Sequence, residues 1–228
     1  MDIDRFRRLP VLGILRGITA DHVSPLAETV VAAGLEAIEI TMNTAGAPAL
    51  LRGMAGAAQG RLMVGAGTVL SIDALDAALD AGATFVVMPT LVSAVVERCA
   101  ADGVPVFPGA LTPQEIFAAW TAGASMVKVF PASCFGPGYF REIHGPFPDI
   151  PLLACGGVTA ENMAAYFASG ASAVAFGASV FRPDWLAERR YDRIGEEVAK
   201  LVQTYRAAQP QAEMKSRKPK TGDGKPPN

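Results

Sequence analysis

The chain has 228 residues, half of them hydrophobic, with 20 basic and 22 acidic side chains and a formal net charge of -2. That balance excludes the basic field needed to hold nucleic acid, and no apolar run approaches the ~20 residues of a membrane-spanning helix. Three widely spaced cysteines (Cys99, Cys134, Cys155) fit neither a disulfide framework nor a zinc site and read as reduced thiols of a cytoplasmic protein.

Taken in chain order, the charged start MDIDRFRRLP lacks the apolar core of a secretory signal. Eight short apolar segments follow: PVLGILR (10–16), AIEITMN (37–43), LMVGAGT (62–68), TFVVMP (84–89), VPVFPGA (104–110), MVKVFP (126–131), PLLACGG (151–157) and AVAFGAS (173–179). Each is strand-length, and most are bounded by Gly or Pro. Apolarity without alternation predicts parallel strands covered on both faces. Ala-rich helical segments lie between them, such as ITADHVSPLAETVVAAG and SIDALDAALDAGA. LTPQEIFAAWTAGA and VTAENMAAYFASGA share one design, with Thr112 and Thr159 as N-caps, Glu115 and Asn162 three residues on, and Gly123 and Gly170 closing the helices.

A recurring turn (Ala33-Gly34, Ala81-Gly82, Ala122-Gly123, Ser169-Gly170) marks a repeated strand–helix unit. Eight units in this length predict an α/β fold, a single-domain (β/α)8 TIM barrel spanning residues 1–208. A doubly wound open sheet would carry a Gly-rich phosphate turn after its first strand, and LRGIT is not one. Residues 209–228, rich in Lys, Pro and Gly, read as a disordered basic tail.

Barrel enzymes place their chemistry at the C-terminal strand ends. Lys128 is the sole lysine before Lys200; every other basic residue in that stretch is arginine. Strand side chains alternate, so Glu39 groups with Thr41 and Asn43, and Lys128 with Met126 and Phe130. Both groupings point Glu39 and Lys128 into the barrel. They lie on the second and sixth strands, and alternate strands share a side-chain layer, so the two can meet there. A buried Glu–Lys pair that merely holds the barrel is a weak stabilising device, and arginine would serve it better. A desolvated lysine can become a neutral amine and form a Schiff base with a carbonyl, which arginine cannot. Gly156-Gly157 and Gly177-Ala178-Ser179 end the seventh and eighth strands, where many barrels bind phosphate through backbone N–H groups. Together these features describe a phosphorylated carbonyl substrate held over an amine.

With those residues in place, the chain resembles the 2-keto-3-deoxy-6-phosphogluconate (KDPG) / 2-keto-3-deoxy-6-phosphogalactonate (KDPGal) aldolases, small class I enzymes. The matching motifs are PVLGILRG, IEITMNT, VGAGTVL, MPT, VFPGALTPQE, VKVFPAS, GGVT and GAS, in order from Pro10 to about Pro183. The resemblance implies Lys128 as the Schiff-base lysine and Glu39 as the acid/base. It implies that Gly67 and Thr68 hold the pyruvate carboxylate and that Arg16 binds polar groups of the substrate. Gly156, Gly157, Gly177, Ala178 and Ser179 would hold the phosphate, and Pro89 and Phe130 would shape the pocket wall. It further implies no metal or other cofactor, a small-molecule substrate, and a homotrimer.

Two departures bear on the substrate. Asn43 stands at a substrate-binding position where the phosphogluconate-type enzymes typically carry arginine, and Cys155 stands where they typically carry threonine. A neutral amide does not replace the charged fork of arginine, so Arg16 takes more of the carboxylate load. With ILRG and FGPGYF, these features point to cleavage of 2-dehydro-3-deoxy-6-phosphogalactonate to pyruvate and D-glyceraldehyde 3-phosphate. The alternatives are 2-dehydro-3-deoxy-6-phosphogluconate or 4-hydroxy-2-oxoglutarate aldolase, a phosphate-binding barrel isomerase or synthase, and a non-catalytic phospho-sugar binding barrel. His22 reads as a solvated helix residue, His144 as a loop residue, Cys155 as a small residue under a glycine turn, and Trp120 and Trp185 as packing residues. Two distant histidines suggest no metal centre.

Overall fold

A computed structural model describes residues 1–216, with side chains through residue 208. Its core is a cylinder of parallel strands: β1 (Val11–Leu15), β2 (Ala37–Thr41), β3 (Met63–Gly67), β4 (Val86–Val87), β5 (Val106–Phe107), β6 (Gly109–Ala110), β7 (Val127–Val129), β8 (Leu152–Cys155) and β9 (Ala173–Phe176). Their hydrogen-bonded order is β5-β4-β3-β2-β1-β9-β8-β7-β6. The two ends of that order are consecutive pieces of one segment, so the chain itself closes the cylinder. The expected fifth strand is split because Pro108 has no N–H to donate; its carbonyl still accepts from Lys128 N at 2.9 Å. Eight barrel positions are therefore filled by nine short strands, and the (β/α)8 expectation stands.

The strands are wrapped by α2 (Ala20–Ala32), α3 (Ala47–Ala58), α4 (Ile72–Asp80), α5 (Ser93–Ala101), α6 (Pro113–Thr121), α7 (Gly138–His144), α8 (Met163–Ala168), α9 (Pro183–Ala187) and α10 (Tyr191–Ser216). Thr112 forms the anticipated capping box with Glu115 at the start of α6. Thr159 does not cap α8. The helix begins later, and Asn162 instead accepts from Thr159 N at 2.9 Å while donating to the Gly157 carbonyl at 2.8 Å. That residue is spent on tethering the glycine turn. α10 continues past residue 208, across the boundary expected for the tail; residues 217–228 lie outside the described residues.

Two apolar layers result. Val64, Val86, Val106, Val127, Leu152 and Val174 pack outward under the helices. Leu12, Ala37, Met63, Phe85, Phe107, Met126, Leu153 and Ala173 fill the barrel. A six-residue helix absent from the sequence reading, α1 (Ile3–Arg8), plugs the N-terminal end. So short a helix is not stable alone. Phe6 holds it, fully buried and stacked at 6.0 Å on Phe107, a burial that contributes roughly 2–3 kcal/mol. Arg5 adds hydrogen bonds to Glu36 and to the Gly60 and Arg61 carbonyls. With α1 covering its lower end, the barrel presents its larger apolar-lined pocket at the C-terminal strand ends.

Candidate active site

Alternation along β2 and β7 decides which side chains face inward. Ala37 and Met126 belong to the barrel interior. Glu39 and Lys128, two residues further along each strand, follow them inside, 1 % and 7 % exposed. Lys128 is flanked by Gly109 on β6 and Leu153 on β8, and Glu39 by Ile14 on β1 and Gly65 on β3.

The two charges share the interior, yet no ion pair joins them among the described residues. Glu39 Oε2 is buried and makes no hydrogen bond. Burial raises its carboxyl from about 4.5 to about 6, opposed by the nearby charges of Lys128 and Arg16. A stabilising ion pair would bring the charges into contact and satisfy the carboxylate. Here the carboxylate is left reactive, with its proton affinity moved toward neutrality. The space for it comes from Gly67 at the end of β3: a Cβ there would overlap Glu39 Oε1 and lie 2.8 Å from its Cδ. The next residue, Thr68, is half-buried and holds a positive φ of 56°. That is costly for a β-branched side chain and marks a backbone shaped for more than packing.

Above these groups lies a pocket of about 340 Å³. Arg16, Phe130, Gly156, Gly157, Gly177, Ala178 and Ser179 line it, as the sequence anticipates, together with Cys155. Lys128 and Glu39 sit behind that lining. Lys128 Nζ lies 5.1 Å from the Phe130 ring centroid. The Cys155 thiol is raised by burial, and the nearby charge of Lys128 opposes that rise. Arg16, Glu39, Lys128 and Cys155 thus form one electrostatically coupled group at the pocket floor.

The glycine turns form the opposite wall. Gly156 and Gly157 have φ of 95° and 78°. A Cβ on Gly157 would come 2.8 Å from Ser133 Cβ. Ser133 N donates to the Gly156 carbonyl at 3.1 Å, and Ser179 Oγ donates to the Val158 carbonyl at 3.1 Å. The backbone N–H groups of Gly157, Val158, Ala178 and Ser179 have no protein acceptor among the described residues. Four such donors around one pocket are suited to an anion.

Four anticipated substrate-binding residues lie outside that lining: Gly67 and Thr68, beside Glu39 at the end of β3, and Asn43 and Pro89. β2 ends at Thr41, where Thr44 N turns back to the Thr41 carbonyl at 2.9 Å. Strand alternation stops there, so Asn43 is exposed on the turn and lies outside the pocket lining. Pro89 also lies outside the lining, with its carbonyl packed against Gly109. His144 is not in a loop: it ends α7, and its two ring nitrogens lie 2.9 and 3.3 Å from the Gly170 and Phe147 carbonyl oxygens. His22 pairs with Tyr191 Oη at 2.8 Å. Sequence reasoning missed Ile14, Val158, Ala175 and Phe176 in the lining. For Ile14 the signal was available, since it shares the inward alternation of Leu12.

The fold agrees with that of known proteins. A family model described as "Aldolase: KDPG and KHG aldolase" matches residues 3–197. The chain is 35 % identical over 202 residues to the 2-dehydro-3-deoxy-6-phosphogalactonate aldolase of Escherichia coli (strain K12), covering 88 % of this chain and 97 % of that protein. It is 37 % identical over 194 residues to the 2-dehydro-3-deoxy-phosphogluconate aldolase of Pseudomonas aeruginosa, covering 82 % of this chain and 86 % of the other. A solved structure described as native KDPGal superimposes with a TM-score of 0.83 at 34 % identity, over 89 % of this chain and 97 % of that one. The chain belongs to the KDPG and KHG aldolase family, on the phosphogalactonate side of it.

Proposed function

We propose that the protein is a class I aldolase that cleaves 2-dehydro-3-deoxy-6-phosphogalactonate to pyruvate and D-glyceraldehyde 3-phosphate. The observation that carries this reading is the burial of Lys128 and an unpartnered Glu39 inside one barrel, beneath a pocket rimmed by free N–H groups.

In this reading Lys128 Nζ attacks the C2 carbonyl carbon. Glu39 takes up the proton that Lys128 sheds to become the attacking amine and passes it to the departing oxygen, so water leaves and a protonated imine remains. The C4 hydroxyl gives up its proton to Glu39, the C3–C4 bond breaks, and its electron pair flows into the imine. Glyceraldehyde 3-phosphate departs, Glu39 returns a proton to C3 of the enamine, and hydrolysis of the imine releases pyruvate. A carboxyl with a pKa of about 6 serves this cycle because it both takes and gives a proton near neutrality.

Gly67 and Thr68 hold the carboxylate end, Arg16 adds the one cation among the pocket-lining residues, and the Gly156-Gly157 and Gly177-Ala178-Ser179 turns hold the phosphate. The protein acts in the cytoplasm as a homotrimer. Exposed Phe117 and Phe135, each beside a second aromatic ring, support a buried subunit face, which sedimentation equilibrium tests. Among the described residues no helix is long and apolar enough to cross a membrane.

The deciding experiment is reduction with borohydride in the presence of pyruvate, followed by peptide mass spectrometry. A reduced adduct on Lys128 supports the reading, and an unmodified Lys128 in folded protein ends it. The 37 % identity to a phosphogluconate enzyme favours a second reading with the C4 epimer as substrate. Comparing kcat/KM for the two epimers separates the two.

A further inference from the structure

Two threonines tie the end of β2 to the loop after β1. Thr41 is fully buried and Thr44 is 6 % exposed. Their hydroxyls are 3.0 Å apart, and Gly17 N donates to Thr44 Oγ1 at 3.0 Å. One hydroxyl can accept from the backbone while paired with a second hydroxyl, so both contacts persist together.

The two ends of this relay meet the site. At one end, the Thr41 methyl and the Glu39 carboxyl together fill the gap left by the missing side chain of Gly67. At the other, Gly17 directly follows Arg16, which lines the pocket and whose charge acts on Glu39. Arg16 makes no ion pair among the described residues. Its guanidinium is therefore aimed by its backbone rather than by a partner carboxylate.

We propose that Thr44 is a positioning residue: its hydroxyl holds the Arg16–Gly17 backbone against the end of β2 and so keeps the guanidinium facing the pocket. The proposal rests on the aldolase reading and adds a determinant of substrate affinity to it. Lys128 and Glu39 stay where the strands put them when the relay is cut. The loss falls on binding and leaves the chemical step intact.

The test is Thr44→Val, which keeps the shape of the side chain and removes the hydroxyl. KM for the phosphorylated substrate rises roughly five- to tenfold, the equivalent of about one hydrogen bond, while kcat stays within about twofold. Thr44→Ser restores KM. In an Arg16→Ala background, Thr44→Val adds less than about twofold, because the group it positions is gone. The Gly17 amide exchanges with deuterium faster in Thr44→Val and not in Thr44→Ser, a readout independent of turnover. A folded Thr44→Val with unchanged KM, or with the same KM penalty in the Arg16→Ala background, overturns the proposal, as does unchanged Gly17 exchange. A wild-type protein that turns over neither epimer overturns the aldolase reading itself, and with it the role of Thr44 in KM, whatever Gly17 does.

Discussion

Glu39→Gln separates the cost of the site from its benefit. The wild-type carboxyl moves from about 4.5 to about 6 on folding because burial disfavours its charge. A group that binds its proton more tightly when folded contributes stability that is complete below about pH 4.5 and is lost as pH rises through 6. The size of that loss follows from the shift and is ~2 kcal/mol by pH 7.5. Glutamine imitates the protonated acid and does not titrate, so the other carboxylates cancel in a comparison of variant and wild type. Urea denaturation at a series of pH values should show the variant gaining on the wild type by ~2 kcal/mol between pH 4.5 and 7.5, or roughly 4–8 °C in Tm for a domain of this size. Turnover should fall about 100- to 10,000-fold at every pH. A stability difference that stays constant across that range would refute the argument, because it would mean the folded chain does not raise the carboxyl of Glu39.

Lys128→Arg keeps the charge and loses the nucleophile, so kcat should drop about a thousandfold or more and borohydride should trap no pyruvate on the barrel. Gly67→Ala pushes a methyl into the Glu39 carboxyl; overpacking of about 1–3 kcal/mol and a displaced base should lower kcat about a hundredfold, measured by pyruvate release. The kcat/KM profile of the wild type should lose activity below about pH 6 as Glu39 takes up its proton, and the Glu39→Gln profile should lack that limb. His144→Ala removes the ring nitrogens facing the Gly170 and Phe147 carbonyls; it should cost about 1 kcal/mol in chemical denaturation while leaving kcat within about twofold.

Phosphate-bearing and phosphate-free substrates offer a separate check on the glycine turns. Gly157→Ala strains a residue at φ 78° and crowds Ser133. It should raise KM for the phosphorylated substrate while leaving pyruvate trapping on Lys128 intact. Equal losses for both ligands would place the phosphate elsewhere.

Much of this was legible in the chain alone because it depends on local periodicity. Apolar segments at regular intervals, each closed by a helix and a turn glycine, allow few alternatives to a parallel barrel. Alternation then sends Glu39 and Lys128 inward whatever the loops do. The one lysine before Lys200, set among arginines, marks the place proposed for the neutral amine, and the paired glycines mark the turns proposed to meet an anion.

Tertiary structure alone decided what depends on contacts between distant segments. Nothing in MDIDRFRRLP announces that Phe6 stacks on Phe107 to cover the lower end of the barrel. Asn43 shares the sequence alternation of Glu39 and Thr41, but a hydrogen-bonded turn ends the strand first and carries it to the surface. Gly67 reads as an ordinary strand-end glycine until the carboxyl of Glu39 is seen in its missing Cβ position. Side-chain periodicity along one strand is a property of that strand's own backbone, so sequence determines it. Which group fills a gap, aims an arginine or leaves a carboxylate without a partner depends on how separate strands pack around a shared axis, and only the folded barrel supplies that.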